Sequence, residues 1–502
     1  MQLLEVLHKA GIDCGAGALP LQVSVGAVRY DSRSVRPGDI FVAVPGTATD
    51  GHRYVDAALQ AGACVAVVED PGVCHSGISC IVVKSSRRAL ADIAAVLLDF
   101  PSEKLHITGV TGTDGKTTST FMLSHALQVL GHRTGLLSTV AFRFGDTWVD
   151  NEMRQSTLEA PEVQAALDRM AREGVTDAVV EATSHGLALD RVRGCAFDDA
   201  IVTNITSEHL EFHRTREQYI AAKALLLQAV HENRERPGAH FAAINIDDEG
   251  SARLVDAAPV DVLTFGLGAG ARVRATDLEC GAQGSSFTVT FDGRAIRGRT
   301  PLPGQFNVYN CLGVVAALAG RGEDIEASVS ALASFSGVPG RMNRIDEGQS
   351  FTVIVDYAHT AASLEKVLNT IRPLTNGRVI VVFGSAGDRD HEKRPAMGAV
   401  AARLADLSVF ADEDPRSEPS LDILEQIAGG ARHEGARDGV DFRIIPDRRE
   451  AIAWALAHAR DGDSVLLAGK GHEKNMFMVH GSVPWNETLV ARDVLRGLGY
   501  GQ

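Results

Sequence analysis

The fold of the surrounding chain is decided by one stretch, Val110-Thr111-Gly112-Thr113-Asp114-Gly115-Lys116-Thr117-Thr118. It follows an apolar run from Leu105 to Val110 that is typical of a buried strand. Leucines then recur at helical spacing at positions 123, 127 and 130, and Gly131 stands where such a helix would end. Strand, glycine-rich loop and helix in this order predict an α/β domain that binds phosphate groups.

The chemistry of the loop favours ATP. Glycines let backbone N–H groups close around phosphate oxygens, and the N-terminus of the following helix adds its dipole. We expect Lys116 to reach the terminal phosphates and Thr117 to place its hydroxyl on Mg²⁺. The strict pattern has glycine where Val110 stands, so this is not the usual loop of motor and switch ATPases.

Bulk composition narrows the class of protein. The 502 residues are too many for one hydrophobic core and predict three or four domains, of which we prefer three. A formal net charge of −15 disfavours a surface for nucleic acid or for an anionic membrane. No apolar stretch approaches the roughly 18 residues of a membrane span, so we expect no membrane insertion.

The cysteines and the N-terminus indicate the compartment. Seven cysteines are scattered without metal-type spacing, which favours free thiols in a reducing cytoplasm. The first nine residues have the pattern of a short amphipathic helix rather than of a signal peptide. We therefore expect a cytoplasmic protein.

The rest of the chain alternates apolar runs with helical patterns. We expect domains at 1–98, 99–336 and 337–502, the first with short strands and turns and the other two built on mostly parallel sheets. Strands are predicted at 177–181, 200–204 and 241–247, and in the third domain at 352–356, 379–383, 407–411 and 464–468. The first three each end in a polar residue, and ligands collect at the carboxyl ends of such strands.

Two side chains outside the loop, Glu181 and Lys223, are candidates for a role in the chemistry. Glu181 ends a hydrophobic strand, where a carboxylate is a natural metal ligand. Lys223 has apolar or aromatic neighbours at helical spacing, so burial would lower its pKa and make a neutral amine available for a carbamate. The alternative is a lysine whose stem packs while its head reaches water, and spacing alone favours it.

Four polar segments follow strands of the third domain. They begin at Asp356, Gly384, Asp414 and Gly469 and mix arginine with carboxylates. Such groups at one sheet edge suit a charged, zwitterionic small molecule.

Along nearly its whole length, this chain resembles the Mur ligases of bacterial cell-wall synthesis, and within them the UDP-N-acetylmuramyl-tripeptide synthetases. The resemblance rests on the loop at 112–118 with Glu181, His209 and Lys223, on Asp31-Ser32-Arg33, and on ordered motifs that continue to Lys470-Gly471-His472-Glu473. It implies an α/β fold of three domains: one for the UDP-sugar, a central P-loop-type ATPase domain, and a C-terminal Rossmann-like domain for the amino acid.

The resemblance also implies a reaction. ATP would phosphorylate a carboxylate of UDP-MurNAc-L-Ala-D-Glu, and the amine of a diamino acid would attack the acyl phosphate. Catalysis would then be mainly positioning and electrostatic stabilisation of the phosphoryl group.

Matching motifs carry roles over to particular residues. The catalytic group would be Lys116, Glu181, His209 and Lys223. Mg²⁺ would be held by Thr117 and Glu181, with His209 and a CO₂-derived carbamate on Lys223 serving a second ion, which reverses the interpretation from spacing. ATP would contact Gly112, Thr113, Asp114, Gly115, Lys116, Thr117, Thr118, Asn307, Arg341 and Asp356. The UDP-muramoyl peptide would contact Ser32, Ser156, Thr157, Ser184 and Arg191, and the amino acid Arg389, Asp414, Arg416, Gly469 and Glu473.

Departures from the family pattern fall mainly in two places. Asp114 replaces the usual Asn of the loop and adds a negative charge near the triphosphate. Asp414 replaces the Asn of the Asp-Asn-Pro-Arg motif found in members that add meso-diaminopimelate, while Arg416 is kept. Arg416 suits a distal carboxylate, whereas Asp414 with Glu413 suits the terminal ammonium of lysine or ornithine, and the sequence leaves both open.

Two other functions compete with this hypothesis. A folylpolyglutamate synthetase carries a similar loop and modified lysine but lacks the N-terminal domain with Asp31-Ser32-Arg33. A non-catalytic, ATP-responsive relative would be expected to have lost Lys116, Glu181, His209 or Lys223, and all four are present.

Overall fold

The computed structural model describes residues 1–13, 19, 22–46, 49–75, 78–151, 153, 155–206, 208–281 and 283–501. The chain divides into two compact units. The first consists of 1–278, 286–300 and 305–335, and the second of 279–285, 301–304 and 336–502. No helix among these residues is both long enough and apolar enough to cross a membrane.

The first unit begins with a four-stranded parallel sheet in the order β1-β2-β3-β4. The strands are short and bury Ile40, Val42, Val65 and Val67 against helices. The elements are α1 (Leu3–Lys9), β1 (Val28–Arg29), β2 (Ile40–Val42), α2 (Val55–Gln60), β3 (Val65–Val68), β4 (Cys80–Val82) and α3 (Ser86–Leu97).

An eleven-stranded sheet follows, in the order β15-β14-β13-β12-β11-β10-β5-β9-β6-β7-β8. The elements are β5 (His106–Thr111), α4 (Lys116–Val129), β6 (Thr134–Leu137), β7 (Ala141–Phe144), β8 (Thr147–Asp150), α5 (Ala160–Arg172), β9 (Asp177–Glu181), α6 (Ser184–Ala188), β10 (Asp199–Val202), α7 (Leu210–His213), α8 (Arg216–Glu232), β11 (Phe241–Asn245), α9 (Glu249–Ala252), β12 (Asp261–Gly266), β13 (Val273–Gly281), β14 (Gly284–Phe291), β15 (Arg294–Thr300), α10 (Gln305–Gly320) and α11 (Ile325–Ala331).

The centre of this sheet is parallel and buried. β5 lies between β10 and β9, with Val110 opposite Glu181 and Thr111 opposite Val202. Because both faces are covered, the strands are nearly continuous apolar runs rather than alternating ones. The same register brings the carboxyl ends of the three strands together.

The second unit has a six-stranded sheet in the order β16-β17-β21-β18-β19-β20, and a two-stranded β22-β23 ribbon. Within the six-stranded sheet, every pair of neighbouring strands is parallel except β16 and β17. The β22-β23 ribbon is antiparallel. The elements are β16 (Asn343–Ile345), β17 (Thr352–Asp356), α12 (Ala361–Ile371), β18 (Val379–Phe383), α13 (Lys393–Leu404), β19 (Leu407–Phe410), α14 (Ser420–His433), β20 (Phe442–Ile444), α15 (Arg448–His458), β21 (Ser464–Ala468), β22 (Asn475–Met478), β23 (Gly481–Pro484) and α16 (Glu487–Gly497).

The cysteines differ from expectation at one pair. Cys74 and Cys80 form a disulfide, so the expectation of free thiols is wrong there. Their Cα atoms lie 5.8 Å apart, with Cys74 directly after the short turn at 71–73 and Cys80 at the start of β4. Four others, Cys64, Cys195, Cys280 and Cys311, are free, and Cys14 lies outside the described residues.

Candidate active site

The loop between β5 and α4 has a backbone that requires glycine at two positions. Gly112 has φ of +149° and Gly115 has φ of +81°, a region that L side chains rarely adopt. A Cβ at Gly112 would overlap the Thr203 hydroxyl, and one at Gly115 would overlap the Asn310 amide. The two glycines therefore let neighbouring elements close around the loop.

The end of β10 holds this loop in place. Thr113 N donates to Asn204 O at 2.7 Å, and Asp114 N donates to Asn204 Oδ1 at 3.0 Å. Thr203 Oγ1 donates to Asp114 O at 2.6 Å. Sequence reasoning did not assign these two residues to the site, although their position at the carboxyl end of the strand predicted at 200–204 was the available signal.

The side-chain oxygens of Thr117 and Glu181 lie together at the N-terminus of α4. Thr117 Oγ1 donates to both carboxylate oxygens of Glu181, at 3.0 and 3.1 Å, and Thr139 N donates to Glu181 Oε2 at 3.0 Å. The nearby Lys116 Nζ donates to Thr113 O at 2.7 Å, so its charge lies against the loop. A cation and a helix N-terminus both attract phosphate.

The donor set at Thr117 and Glu181 fits Mg²⁺. Both supply hard oxygens, and Mg²⁺ takes one or two protein ligands and completes its octahedron with water and substrate phosphates. The described part of the chain holds no group of three or more His, Cys, Asp or Glu placed to bind a metal.

Lys223 is buried beneath the loop. Its side chain on α8 is 1% exposed, and Nζ donates to Gly112 O at 2.5 Å and lies 4.5 Å from the centre of the Tyr219 ring. Burial, reinforced by the charge of Lys116, lowers the pKa of Lys223 well below its usual value. The interpretation of a lysine head that reaches water is therefore wrong, because Nζ is enclosed by the loop it supports.

His209 lies beside a second histidine. Its ring is 4.7 Å from that of His185, edge to face, and its Nε2 is 3.7 Å from Glu208 Oε2. His185 belongs to α6, which begins three residues after Glu181. The contact places His209 close to the chain that leaves β9, with 41% of its side chain exposed.

Three of the expected peptide-binding residues come together beside this strand end. Thr157 Oγ1 donates to Glu181 O at 3.1 Å, and Arg191 NH1 donates to Thr157 O at 3.3 Å. Arg191 NH2 pairs with Glu159 at 2.7 Å, and its buried Nε has no partner among the described residues. Ser184 is buried at the start of α6, one residue after Thr183, whose hydroxyl contacts Thr157.

Ser156 and Ser32 are less closely connected. Ser156 directly precedes Thr157 and is partly buried. Ser32 opens the short 3₁₀ turn at 32–34, which Asp31 caps by accepting from Arg33 N at 3.0 Å. Within the described ranges, no hydrogen bond joins Ser32 to the group around Thr157.

Asn307 reaches the loop region through a neighbour on α10. Asn310 Nδ2 donates to Asn307 Oδ1 at 3.1 Å, and Ser119 Oγ of α4 donates to Asn310 Oδ1 at 3.3 Å. Both asparagines are buried. Asn310 is a further residue that sequence reasoning did not assign to the site.

In the second unit, Asp356 is the last residue of β17, and backbone N–H groups hold its carboxylate in place. It accepts from Met342 N and Ala358 N, each at 2.8 Å. Burial raises the pKa of Asp356, and the Arg341 charge works against that rise. The Arg341 guanidinium lies 4.9 Å from the Tyr357 ring centre, and its buried Nε has no described partner.

The strand ends of β19 and β21 carry a buried lysine between two carboxylates. Lys470 Nζ donates to Asp414 Oδ1 at 2.8 Å, to Glu473 Oε2 at 2.6 Å and to Asn475 O at 2.8 Å. Asp414 Oδ1 also accepts from Phe477 N at 2.9 Å. Asp414 and Glu473 therefore share one buried lysine inside the protein, which the sequence pattern did not predict.

Arginines and one buried carboxylate complete this region. Arg416, at φ of +56°, has a buried Nε without a hydrogen-bond partner among the described residues, and Arg389 is exposed. Gly469 has φ of +103°, and a Cβ there would lie 2.9 Å from Glu413 Oε2. Burial raises the pKa of Glu413.

Three family models match separate ranges of the chain. Residues 24–97 match the Mur ligase family catalytic domain, residues 110–318 the Mur ligase middle domain, and residues 340–471 the Mur ligase glutamate ligase domain. Together they cover both units.

Named relatives extend over nearly the whole chain. A UDP-N-acetylmuramyl-tripeptide synthetase of Roseiflexus sp. (strain RS-1) is 46% identical over 493 residues, which are 96% of this chain and 96% of that protein. A UDP-N-acetylmuramoyl-L-alanyl-D-glutamate–2,6-diaminopimelate ligase of Streptomyces avermitilis is 39% identical, covering 96% of this chain and 94% of that one. A solved structure of a ligase of that same name superposes with a TM-score of 0.69 at 28% identity, covering 100% of this chain and 99% of that chain. With this identity and coverage, and with a loop, Glu181 and Lys223 arranged around one strand end, the chain belongs to the Mur ligase family.

Proposed function

We propose that this protein is an ATP-dependent acid–amino-acid ligase that adds a diamino acid to UDP-N-acetylmuramoyl-L-alanyl-D-glutamate in peptidoglycan synthesis. The observation that carries the proposal is the grouping of Lys116, Thr117, Glu181 and Lys223 around the loop at the end of β5. The substrates are those named for the relatives that span nearly the whole chain.

In this proposal the residues of the first unit act on the phosphoryl group. The loop N–H groups and Lys116 bind the ATP phosphates, and Asn307 contacts the nucleotide. Thr117 and Glu181 would hold Mg²⁺, which neutralises charge on the transferred group when bound. Thr157, Ser184 and Arg191 orient the peptide carboxylate beside Glu181, with Ser156 and Ser32 contacting the rest of that substrate.

Lys223 and His209 would serve a second Mg²⁺. A neutral amine is the form that combines with CO₂, and the burial of Lys223 favours that form at a pH where an ordinary lysine is protonated. The resulting carbamate would supply anionic oxygens where the lysine now meets the loop. The support for this carbamate is the lowered pKa of the unmodified Lys223 amine.

The second unit would bind the amino acid and the nucleoside. Arg341 and Asp356 are assigned to ATP, and Arg389, Asp414, Arg416, Gly469 and Glu473 to the diamino acid. Since Asp414 already accepts hydrogen bonds from Lys470 and from Phe477 N, we assign the selective contact to Arg416, whose buried Nε has no hydrogen-bond partner among the described residues. We therefore assign meso-diaminopimelate, whose distal carboxylate an arginine can bind, rather than lysine or ornithine.

Each of the three expected domains is then assigned its own part of the substrates. Residues 1–98 would hold the UDP-sugar, 99–336 the ATP and peptide, and 337–502 the amino acid. Because ATP and a UDP-linked precursor are the substrates, we place the reaction in the cytoplasm.

The test is phosphate release with ATP, Mg²⁺ and UDP-MurNAc-L-Ala-D-Glu, with meso-diaminopimelate, L-lysine or L-ornithine supplied in turn and the product identified by mass. We expect turnover with meso-diaminopimelate. Turnover with lysine or ornithine alone would overturn the assignment of the pocket and keep the ligase. Turnover with a folate and glutamate, or ATP binding without turnover in every mixture, would overturn the proposed function itself.

A further inference from the structure

The free edge of the eleven-stranded sheet borders a cleft that the proposed reaction does not use. β15 is the terminal strand of that sheet. The cleft has a volume of about 760 Å³ and is lined by residues 294–299 of β15 and by four residues of α11 and the turn after it. Because six consecutive strand residues line it, the cleft runs along the strand rather than across it.

The backbone of an edge strand is a template for another strand. Alternate residues direct their N–H and C=O groups away from the sheet, and on the outer side of β15 no further strand pairs with them among the described residues. Six residues at about 3.3 Å each give a length of roughly 20 Å. That length accommodates a short extended segment.

The floor of the cleft is apolar and close to the strand. Gly298 faces α11, and a Cβ there would lie 2.9 Å from both Phe287 and Val329. The glycine thus lets the strand pack directly on the helix. A ligand strand beside β15 would place every second side chain over this apolar floor.

The rim of the cleft is basic, although the chain carries a net charge of −15. Arg294, Arg297 and Arg299 all line it, with Glu326 as the only acidic member of the lining. Arg294 is half exposed and lies 3.4 Å from Glu326, while Arg297 donates to Ser286 Oγ at 3.2 Å. Arg299 is exposed and forms no ion pair with a described residue.

We propose that this cleft binds an extended acidic segment of another protein, which adds a strand beside β15. The outward backbone groups would give the segment its hydrogen bonds, and the floor would take the apolar side chains on one face of the segment. Because side chains alternate along a strand, Arg297 and Arg299 lie on the face opposite Gly298 and would pair with carboxylates on the other face of the segment, whereas Arg294 lies on the floor side with Glu326. Two arginines two residues apart suit successive carboxylates of an extended chain.

The probe is a fluorescein-labelled peptide of nine residues that alternates Glu with Val, titrated against the full chain by fluorescence anisotropy. We expect saturable binding that weakens as salt is added. The same peptide with Gln in place of Glu, and one with N-methyl groups on alternate backbone nitrogens, should each bind at least about tenfold more weakly. The first loses the charge pairs and the second the strand hydrogen bonds.

The matching change in the protein is the double substitution Arg297→Glu/Arg299→Glu. It should weaken peptide binding by about tenfold or more while ligase turnover stays unchanged, since neither residue belongs to the proposed site. Arg234→Glu, at an exposed arginine of the same unit, is the control and should leave binding unchanged.

Several outcomes would overturn the proposal. Equal binding of the N-methylated peptide would exclude strand addition. Displacement by millimolar pyrophosphate at constant ionic strength would assign the cleft to small anions. Self-association of the protein that the double substitution abolishes would assign it to a second copy of this chain, and absence of peptide binding would leave the cleft without this ligand.

Discussion

Lys223 illustrates how much a single residue depends on its surroundings. Its amine is enclosed by the phosphate loop and the Tyr219 ring, and both burial and the Lys116 charge oppose protonation. A lysine with the same neighbours in sequence but an open loop would lack the burial that lowers its pKa. The chemistry proposed for this amine therefore follows from its burial beneath the loop.

The first prediction concerns this amine. With ¹³C-bicarbonate, the protein should show a carbamate carbon resonance that grows as the pH rises through the lowered pKa of Lys223, since only the neutral amine combines with CO₂. Lys223→Arg should abolish the resonance and reduce turnover by roughly a hundredfold or more, because a fixed anion beside the phosphates is lost. Lys104→Arg, at an exposed lysine, should change neither. A resonance that survives Lys223→Arg would disprove the assignment.

The second prediction tests the charge of the amino-acid pocket. Asp414→Asn keeps an oxygen that can accept from Lys470 and Phe477 but removes one negative charge. The KM for meso-diaminopimelate should fall by about fivefold, as expected for a partly screened charge worth about 1 kcal/mol. Asp390→Asn, an exposed change nearby, should have little effect. A rise in KM would show that Asp414 itself contacts the substrate.

Between elements, the strand ends of the second unit are held by a buried ion pair. Arg448, the first residue of α15, donates to Asp412 O at 3.0 Å, to Ala468 O at 2.6 Å and to Glu487 of α16. Both charged side chains are fully buried. One guanidinium thereby joins two helices to the ends of β19 and β21, from which the proposed amino-acid loops emerge.

The third prediction follows from that burial. Arg448→Met should lower the free energy of unfolding by about 3 kcal/mol or more, because it leaves the Glu487 carboxylate buried without its partner. It should also raise the KM for the amino acid, since the two strand ends lose their link. Arg437→Met, which breaks the exposed pair with Asp441, should leave the free energy of unfolding nearly unchanged, because solvent screens that pair. Equal urea midpoints for the two variants would refute this argument.

Among the helices and strands, the buried strands are the elements that the sequence predicts well. The expected strands at 177–181, 352–356, 379–383 and 464–468 agree with the structure, and the others differ by a few residues at their ends. These strands are buried on both faces, so their apolar runs are distinctive. Thr203, Asn204, Asn310 and Arg448 were not assigned because each acts on residues distant in sequence.

At the scale of the whole molecule, the second unit has its own core. The buried cluster of its six-stranded sheet runs from Ile345 to Leu495, within one continuous stretch of chain. The first unit, in contrast, holds two sheets, each with its own buried cluster. The expected 337–502 domain starts one residue after the last segment of the second unit does.

The fourth prediction is that residues 336–502 fold when expressed alone. The fragment should unfold cooperatively on heating and show dispersed amide resonances, because its core needs no residue from elsewhere. A fragment of residues 358–502 lacks β16 and β17 and exposes one side of β21, so it should show neither property. A molten 336–502 fragment would mean that the core depends on the first unit.

The sequence by itself determined the α/β class, the phosphate loop, most strands and the family, because these depend on local order and on apolar periodicity. Only the tertiary structure decided which charges are available. It buries Lys223 under the loop, pairs Lys470 with both Asp414 and Glu473, joins Cys74 to Cys80 and leaves the arginines of β15 along a free sheet edge. Burial and pairing are set by residues far apart in the chain, and a spacing pattern carries no information about those contacts.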